Sequence, residues 1–299
     1  MAVYWSLRRS SPAAAATDTM RSMNPPLIAE HITRHFGAAA RDVKVEVLPS
    51  TQSTNADLRA RISSLTEPLL LTTESQTAGR GRSGRTWHSA PGDSLCFSLA
   101  WPLTTSLDRT TGLPLATGVA IANALHLLGW PIQLKWPNDL LMGGEKLGGV
   151  LLETATSPRS ANAAKVWVVI GVGLNVHSNQ QRDAELEYPV ACLSNQPIDR
   201  NHLLAKITDS LCAMLLEFNH HGLSPFVDRW HALHAYQDQP VVLHERGQLL
   251  HEGIARGITS NGCLILDTAE TRLTIMAGDV SLRSAVRAQS MGGHHAVAD

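Results

Sequence analysis

The chain is short of charge and almost neutral. Charged residues make up 17% of its 299 residues, with 25 Lys and Arg against 26 Asp and Glu, a formal net charge of −1. Ordinary soluble domains carry roughly 25% charged residues. Proteins whose main partner is nucleic acid usually show a basic excess, so none is expected at the level of the whole chain, although a local basic patch stays open. Cysteine is scarce. Cys96, Cys192, Cys212 and Cys263 lie far apart with no C-x-x-C pair. That excludes a disulfide framework and a structural zinc site, and predicts reduced, buried thiols. No run of about 18 apolar residues occurs, so no membrane-spanning helix is expected. Histidine is plentiful, but H-E-x-x-H is absent, and His231 and His234 have no third ligand in sight, which argues against a metal there. Internal repeats are also missing. What the chain does have is 43% hydrophobic residues. That is enough apolar surface for a packed core rather than general disorder, and the length suggests about two domains.

The first 23 residues, rich in Ser, Ala and Arg, lack the continuous apolar stretch of a secretory signal. They are expected to be an unstructured extension, with Met20 and Met23 as alternative starts. Leu27, Ile28, Ile32 and Phe36 have helical spacing that ends at Gly37. Val43, Val45 and Val47 alternate as in a half-buried strand. Ser53-Thr54-Asn55 offers N-cap chemistry to a helix through Leu58 and Ile62. Strands are expected at 68–73, 94–101, 132–136, 148–153 and 166–176, with a turn at Gly143-Gly144. Helices are expected at 114–128, with Pro at its first turn and Gly129 behind it, and from Leu203 to near Gly222. From Gln239 the texture becomes short strands between Gly and Asn turns, a small all-β barrel.

The densest feature is Gly79-Arg80-Gly81-Arg82-Ser83-Gly84-Arg85-Thr86-Trp87. It nearly fits a phosphate loop, but arginine replaces the lysine and Pro91-Gly92 follow where a helix should begin. An Arg-Gly nucleic-acid segment would be longer. A solvated surface loop and an anion-binding loop that orders over its ligand both remain. Glycines let backbone N–H groups approach an anion, arginines clamp phosphate or carboxylate, and Trp87 supplies a flat face.

Lys135-Trp136-Pro137-Asn138-Asp139-Leu140 is a second cluster. Pro137 ends a strand, leaving Asn138 and Asp139 either in a plain turn or facing a ligand. Lys146 precedes the apolar run Gly148-Gly149-Val150-Leu151-Leu152-Glu153, where a lysine can stabilise developing negative charge. Gly171-Val172-Gly173-Leu174-Asn175-Val176 lacks the third glycine of a dinucleotide fingerprint. A bulged strand carrying Asn175 is the alternative.

In their joint order these segments resemble the biotin protein ligase family, from Pro25 to Arg283. Gly278-Asp279-Val280-Ser281-Leu282-Arg283 resembles the end of that family's small β domain. The resemblance implies an α+β fold, a mixed β-sheet catalytic domain backed by helices (class II synthetase-like) plus a small C-terminal SH3-like β-barrel. Its boundaries are 1–24 for the extension, 25–236 for the catalytic domain, 237–284 for the barrel and 285–299 for an unstructured tail. It implies a cytoplasmic enzyme that activates biotin with ATP and Mg²⁺ to biotinyl-5′-AMP. The enzyme then transfers biotin to a lysine of the biotin carboxyl carrier protein of acetyl-CoA carboxylase. Catalysis falls to Lys146, Arg80 and Arg82. Biotin binding falls to Ser53, Thr54, Asn55, Gln76, Gly79, Arg80, Gly81, Arg82 and Lys146. Adenylate contacts fall to Arg85, Trp87, Asn138 and Asn175, and Asp139 would hold Mg²⁺.

Some family members carry an N-terminal helix-turn-helix domain and repress biotin operons. About 50 residues precede Ser53 here, with one expected helix, and a DNA reader needs a second, recognition helix. The expectation is therefore a ligase without DNA binding. A bifunctional ligase and repressor, and a lipoate ligase or octanoyl transferase, are the alternatives. Whether two copies pair through a sheet edge is left open.

Overall fold

Alternation of side chains sorts the main sheet's residues onto two faces. A computed structural model of the chain describes residues 24–104, 106–157, 165–179, 183, 189–245, 248–278 and 280–285. The expected extension (1–23) and the tail beyond 285 lie outside them. The strands are β1 (Lys44–Leu48), β2 (Leu69–Thr73), β3 (Ser94–Leu103), β4 (Ile132–Lys135), β5 (Asp139–Met142), β6 (Glu145–Ser157) and β7 (Lys165–Asn175). They form one sheet in the order β1-β2-β3-β7-β6-β5-β4, parallel between β1 and β2 and antiparallel elsewhere. On one face Leu69, Leu71, Trp167 and Val169 pack with Leu58 and Ile62. These come from α2 (Thr54–Arg61) and the turn after it. On the other face Leu70, Phe97, Val168 and Ile170 join the large core under α3 (Leu113–Leu127) and α4 (Arg200–His221). Period-2 alternation is the cause, since Leu70 and its two neighbours point to opposite sides.

The helices begin where capping chemistry allows. Ser53 Oγ accepts from the Ala56 N–H at the start of α2, and Asp199 accepts from the N–H groups of Asn201 and His202 at the start of α4. α3 starts with Pro114 in its first turn, and Gly129, φ +94°, follows its end. A short α1 (Ala29–Arg34) lies within the expected first helix.

Three elements depart from the sequence reading. β5 and α5 (Val227–Leu233) were not expected, and β6 is longer than the expected 148–153. β5 is only four residues long and opens on Asp139 after the turn formers Pro137-Asn138, so its pattern is too short to stand out. Gly143 and Gly144 both have positive φ (59° and 78°), the backbone of a tight hairpin turn that lets β6 start at once.

β8 (Pro240–Glu245), β9 (Gln248–Ile258), β10 (Leu264–Asp267), β11 (Arg272–Ile275) and β12 (Val280–Ser284) form an antiparallel sheet in the order β11-β10-β9-β8-β12. This is the small C-terminal β module. Its buried Val241, Leu243, Leu264, Leu266 and Leu282 are continuous with the main core. It is tied to the end of β4 through the Trp136 Nε1–H to Gly262 O bond, 3.1 Å, while the segment leading into it is held by the Ala235 N–H to Leu134 O bond, 2.9 Å.

All four cysteines are free thiols, Cys96 and Cys212 buried, Cys192 and Cys263 only partly so. No helix among the described residues is long and apolar enough to cross a membrane. His231 and His234 join no metal-binding cluster there. His231 Nε2 instead accepts the Ile258 N–H at 2.9 Å.

Candidate active site

The start of α2 meets the centres of β3, β6 and β7, and the residues there form a chain of hydrogen bonds. The Thr54 N–H donates to Gln76 Oε1 at 2.9 Å. The Thr54 and Ser98 hydroxyls lie 2.7 Å apart, and Ser98 Oγ donates to Asn55 Oδ1 at 2.6 Å. Asn55 Nδ2 donates to Glu153 Oε2 at 2.9 Å, and Glu153 pairs with Arg59. Ser53, Thr54, Asn55 and Ser98 are buried, and buried polar groups need partners of this kind. Gly171 makes room for Asn55, because a Cβ at 171 would lie 2.3 Å from Asn55 Oδ1. Two residues on, a Cβ at Gly173 would lie 2.4 Å from the Trp87 ring. The G-x-G pair is thus a clearing for two side chains. It is not a bulge, since β7 pairs in unbroken register with β3 and β6.

The Gly79–Trp87 segment folds as a hairpin rather than a phosphate loop. The Trp87 N–H donates to Gly79 O at 2.9 Å and the Gly81 N–H to Arg85 O at 2.7 Å. Ser83 and Gly84 turn the chain with φ of 54° and 73°, and the segment leads on toward β3. Arg82 reaches across to Asn138 Oδ1 at 3.3 Å and to Gly278 O at 2.6 Å. The hairpin therefore touches both the β4–β5 turn and the C-terminal module.

Opposite it, β6 slips register by one residue at Leu147. A strand normally sends residues 146 and 149 to opposite faces. The extra residue brings Lys146 and Gly149 to one side, with Lys146 Cε 3.8 Å from where a Gly149 Cβ would be. Lys146 Nζ lies 2.7 Å from Asp139 Oδ1, and Lys135 Nζ lies 2.6 Å from Asp139 Oδ2. Burial raises the Asp139 pKa, but the two ammonium charges outweigh it and hold the carboxyl well below the usual carboxylate range.

These groups surround one cleft with an empty space of about 980 Å³ including its open mouth. It brings together Ser53, Thr54, Asn55, Gln76, Arg80, Gly81, Arg82, Arg85, Trp87, Asn138, Asp139 and Lys146, with Val280, Ser281 and Leu282 as a wall from the C-terminal module. Gly79 and Asn175 stand outside the lining. A Cβ at Gly79 would meet Trp87 O at 2.6 Å, so its smallness serves the hairpin. Asn175 Nδ2 donates to Ala191 O at 3.1 Å and Lys146 O at 3.5 Å, which holds the neighbouring main chain. Asp139 does not suit Mg²⁺, because both its oxygens already face ammonium groups. No cluster of three metal-ligating side chains occurs among the described residues. Lys135 and Glu153 stand inside the sequence clusters, which assign them no role, and Ser98 carries no motif of its own. Ser98, two positions beyond Cys96 in an apolar strand, was the only sign of a polar group aimed inward.

The chain is similar to known proteins in both sequence and structure. Residues 45–175 match the Biotin/lipoate A/B protein ligase family, and residues 238–283 match the Biotin protein ligase C terminal domain. The bifunctional ligase/repressor BirA of Salmonella typhimurium is 37% identical over 244 residues, 81% of this chain and 75% of that protein. The biotin--[acetyl-CoA-carboxylase] ligase of Mycobacterium tuberculosis is 31% identical, over 86% of this chain and 96% of that protein. In structure, the biotin protein ligase from Aquifex aeolicus, solved in complex with biotin and ATP, superimposes with a TM-score of 0.68 at 26% identity, over 81% of this chain and 99% of that one. The sheet and these matches agree, and the chain is a ligase of the biotin protein ligase family.

Proposed function

We propose that the chain joins biotin to a lysine of a biotin carboxyl carrier protein by way of biotinyl-5′-AMP. The observation that carries this reading is the cleft's lining, where uncharged hydrogen-bonding groups stand with Lys146 and with Arg80, Arg82 and Arg85 of the hairpin. A neutral ureido ring suits Ser53, Thr54, Asn55 and Gln76. A carboxylate and a triphosphate suit Lys146 and the arginines.

In the first step a biotin carboxylate oxygen attacks the α-phosphorus of ATP. The Pα–O bond to the β-phosphate breaks, and pyrophosphate leaves with the electron pair. Two anions must approach, and Lys146, held by Asp139, offsets their repulsion at the reacting oxygens. Arg80 and Arg82 cover the adenylate, Arg85 meets the phosphates, and Trp87 and Asn138 flank the adenylate. Gly81 lets the hairpin backbone come close. In the second step the carrier lysine's neutral amine attacks the acyl carbon. The acyl C–O bond breaks, AMP leaves, and the nitrogen loses a proton. A hairpin closed over the mixed anhydride keeps water from hydrolysing it.

The test is transfer of radiolabelled biotin to a recombinant carrier domain with ATP and Mg²⁺, with labelled lipoate in parallel. Transfer of biotin alone is expected, and transfer of lipoate alone would overturn the substrate assignment. The likeness to a bifunctional ligase/repressor supports a second reading, a ligase that also binds operator DNA. Ahead of Ser53 the described residues hold one six-residue helix and no second one to serve as a recognition helix. A salt-sensitive gel shift on biotin-operator DNA separates the two readings.

A further inference from the structure

β3 and β7 face each other with the partners Ser98↔Gly171 and Cys96↔Gly173. Two residues apart, the pairs share one face of the sheet. Each sets a glycine opposite a small residue with a hydrogen-bonding group, and each receives one side chain. Asn55 lies over Gly171 and accepts from Ser98 Oγ. Trp87 lies over Gly173, where a Cβ would sit 2.4 Å from Cε2 and 2.7 Å from Cζ2. Its indole Nε1–H donates to Cys96 Sγ at 3.3 Å.

We infer that the Cys96–Gly173 pair is a socket for the Trp87 indole, with Cys96 a positioning residue for the nucleotide half of the reaction. This rests on the proposed reading that Trp87 flanks the adenylate. The Trp87 main chain is pinned by its bond to Gly79 O. The thiol acts at the ring's far edge. An indole has a single N–H, so only one ring orientation over Gly173 points that N–H at the sulfur. Gly173 supplies the space and Cys96 selects the orientation, which aims the exposed side of the ring into the cleft. Sulfur accepts weakly but is polarizable and makes favourable contact with aromatic edges.

Steady-state kinetics and ¹⁵N-indole NMR on the full chain test this. Cys96→Ala is expected to raise KM for ATP about fivefold, the loss of one modest hydrogen bond, while KM for biotin stays within about twofold. In a Trp87→Phe background, the same substitution should add nothing. The indole resonance missing from Trp87→Phe belongs to Trp87. It should move in Cys96→Ala and exchange faster with water, and it should stay closer to its parent position in Cys96→Ser, which keeps an acceptor. Cys96→Ser alone decides the matter if Cys96→Ala does not fold, since an oxygen acceptor must still shift the resonance. An unmoved resonance, an equal KM rise for both substrates, or an undiminished effect without Trp87 would overturn the socket. A parent chain that turns over no ATP would sink the proposed function, while the resonance would still report on the socket.

Discussion

The floor of the cleft and its cover are built differently. On the floor, Gln76, Thr54, Ser98, Asn55 and Glu153 satisfy one another in sequence, anchored to strands that stay paired from Ser94↔Asn175 to Leu103↔Val166. On the cover, Arg80, Arg82 and Arg85 stand on a short hairpin that reaches across the cleft through Arg82, to Asn138 Oδ1 and to a carbonyl of the C-terminal module. A neutral ring is recognised by groups that must already point the right way, and a sheet provides that. Anions are attracted over longer distances and tolerate adjustment, which suits a hairpin. Salt should accordingly weaken what the cover does and spare the floor.

Lys146 stands in the same cleft, paired with Asp139, and its loss should have the largest effect. Lys146→Ala is expected to cut biotin-dependent pyrophosphate exchange by about 10³-fold, the scale of removing a group that stabilises reacting charge. Near-normal exchange would remove the role assigned to it. Gly171→Ala should strike the floor alone. Its Cβ displaces Asn55, so KM for biotin should rise roughly 10- to 100-fold, with KM for ATP little changed. Comparable increases in both would mean that floor and cover are not separable. Arg82→Ala should strike the cover alone. Biotinyl-AMP should leave about tenfold faster, as expected from losing one charge-assisted contact, and stopped-flow release can read this. An unchanged release rate contradicts it.

The smallest effect concerns the joint that carries the C-terminal wall. His234 is buried there against Trp230, and its pKa falls from the ordinary 6.5 to about 4, chiefly through burial and further through His231. The unfolded chain then binds the extra proton between those values. The stability due to the neutral ring is therefore complete above pH 6.5 and lost as pH falls toward 4. His234→Gln should remove up to roughly 2 kcal/mol of the stability difference between pH 6.5 and pH 5. Calorimetric melting at both pH values checks this, and an identical pH slope in the variant would contradict it.

Most of the sheet was legible, because Val45-Glu46-Val47 or Leu95 through Leu99 carry period-2 patterns that a strand must show. The cationic hairpin was legible because nothing in a core explains so many arginines among glycines. The lysine pair on Asp139 was not, since residues 135, 139 and 146 come together only through the β5 hairpin and the slip at Leu147. Read singly, Asp139 suggests a metal; seen between two ammonium groups, it is their counter-ion. Gly171 and Gly173 misled for a similar reason. Their spacing says that something needs room, and only the fold tells that Asn55 and Trp87 occupy it.

Arg82 and the carbonyl it grips stand 196 positions apart, and Val280 to Leu282 complete the cleft. During synthesis the pieces of the floor leave the ribosome well before that wall. A nascent polypeptide therefore holds an open floor first, and the cleft gains its last wall only when Val280 to Leu282 have emerged.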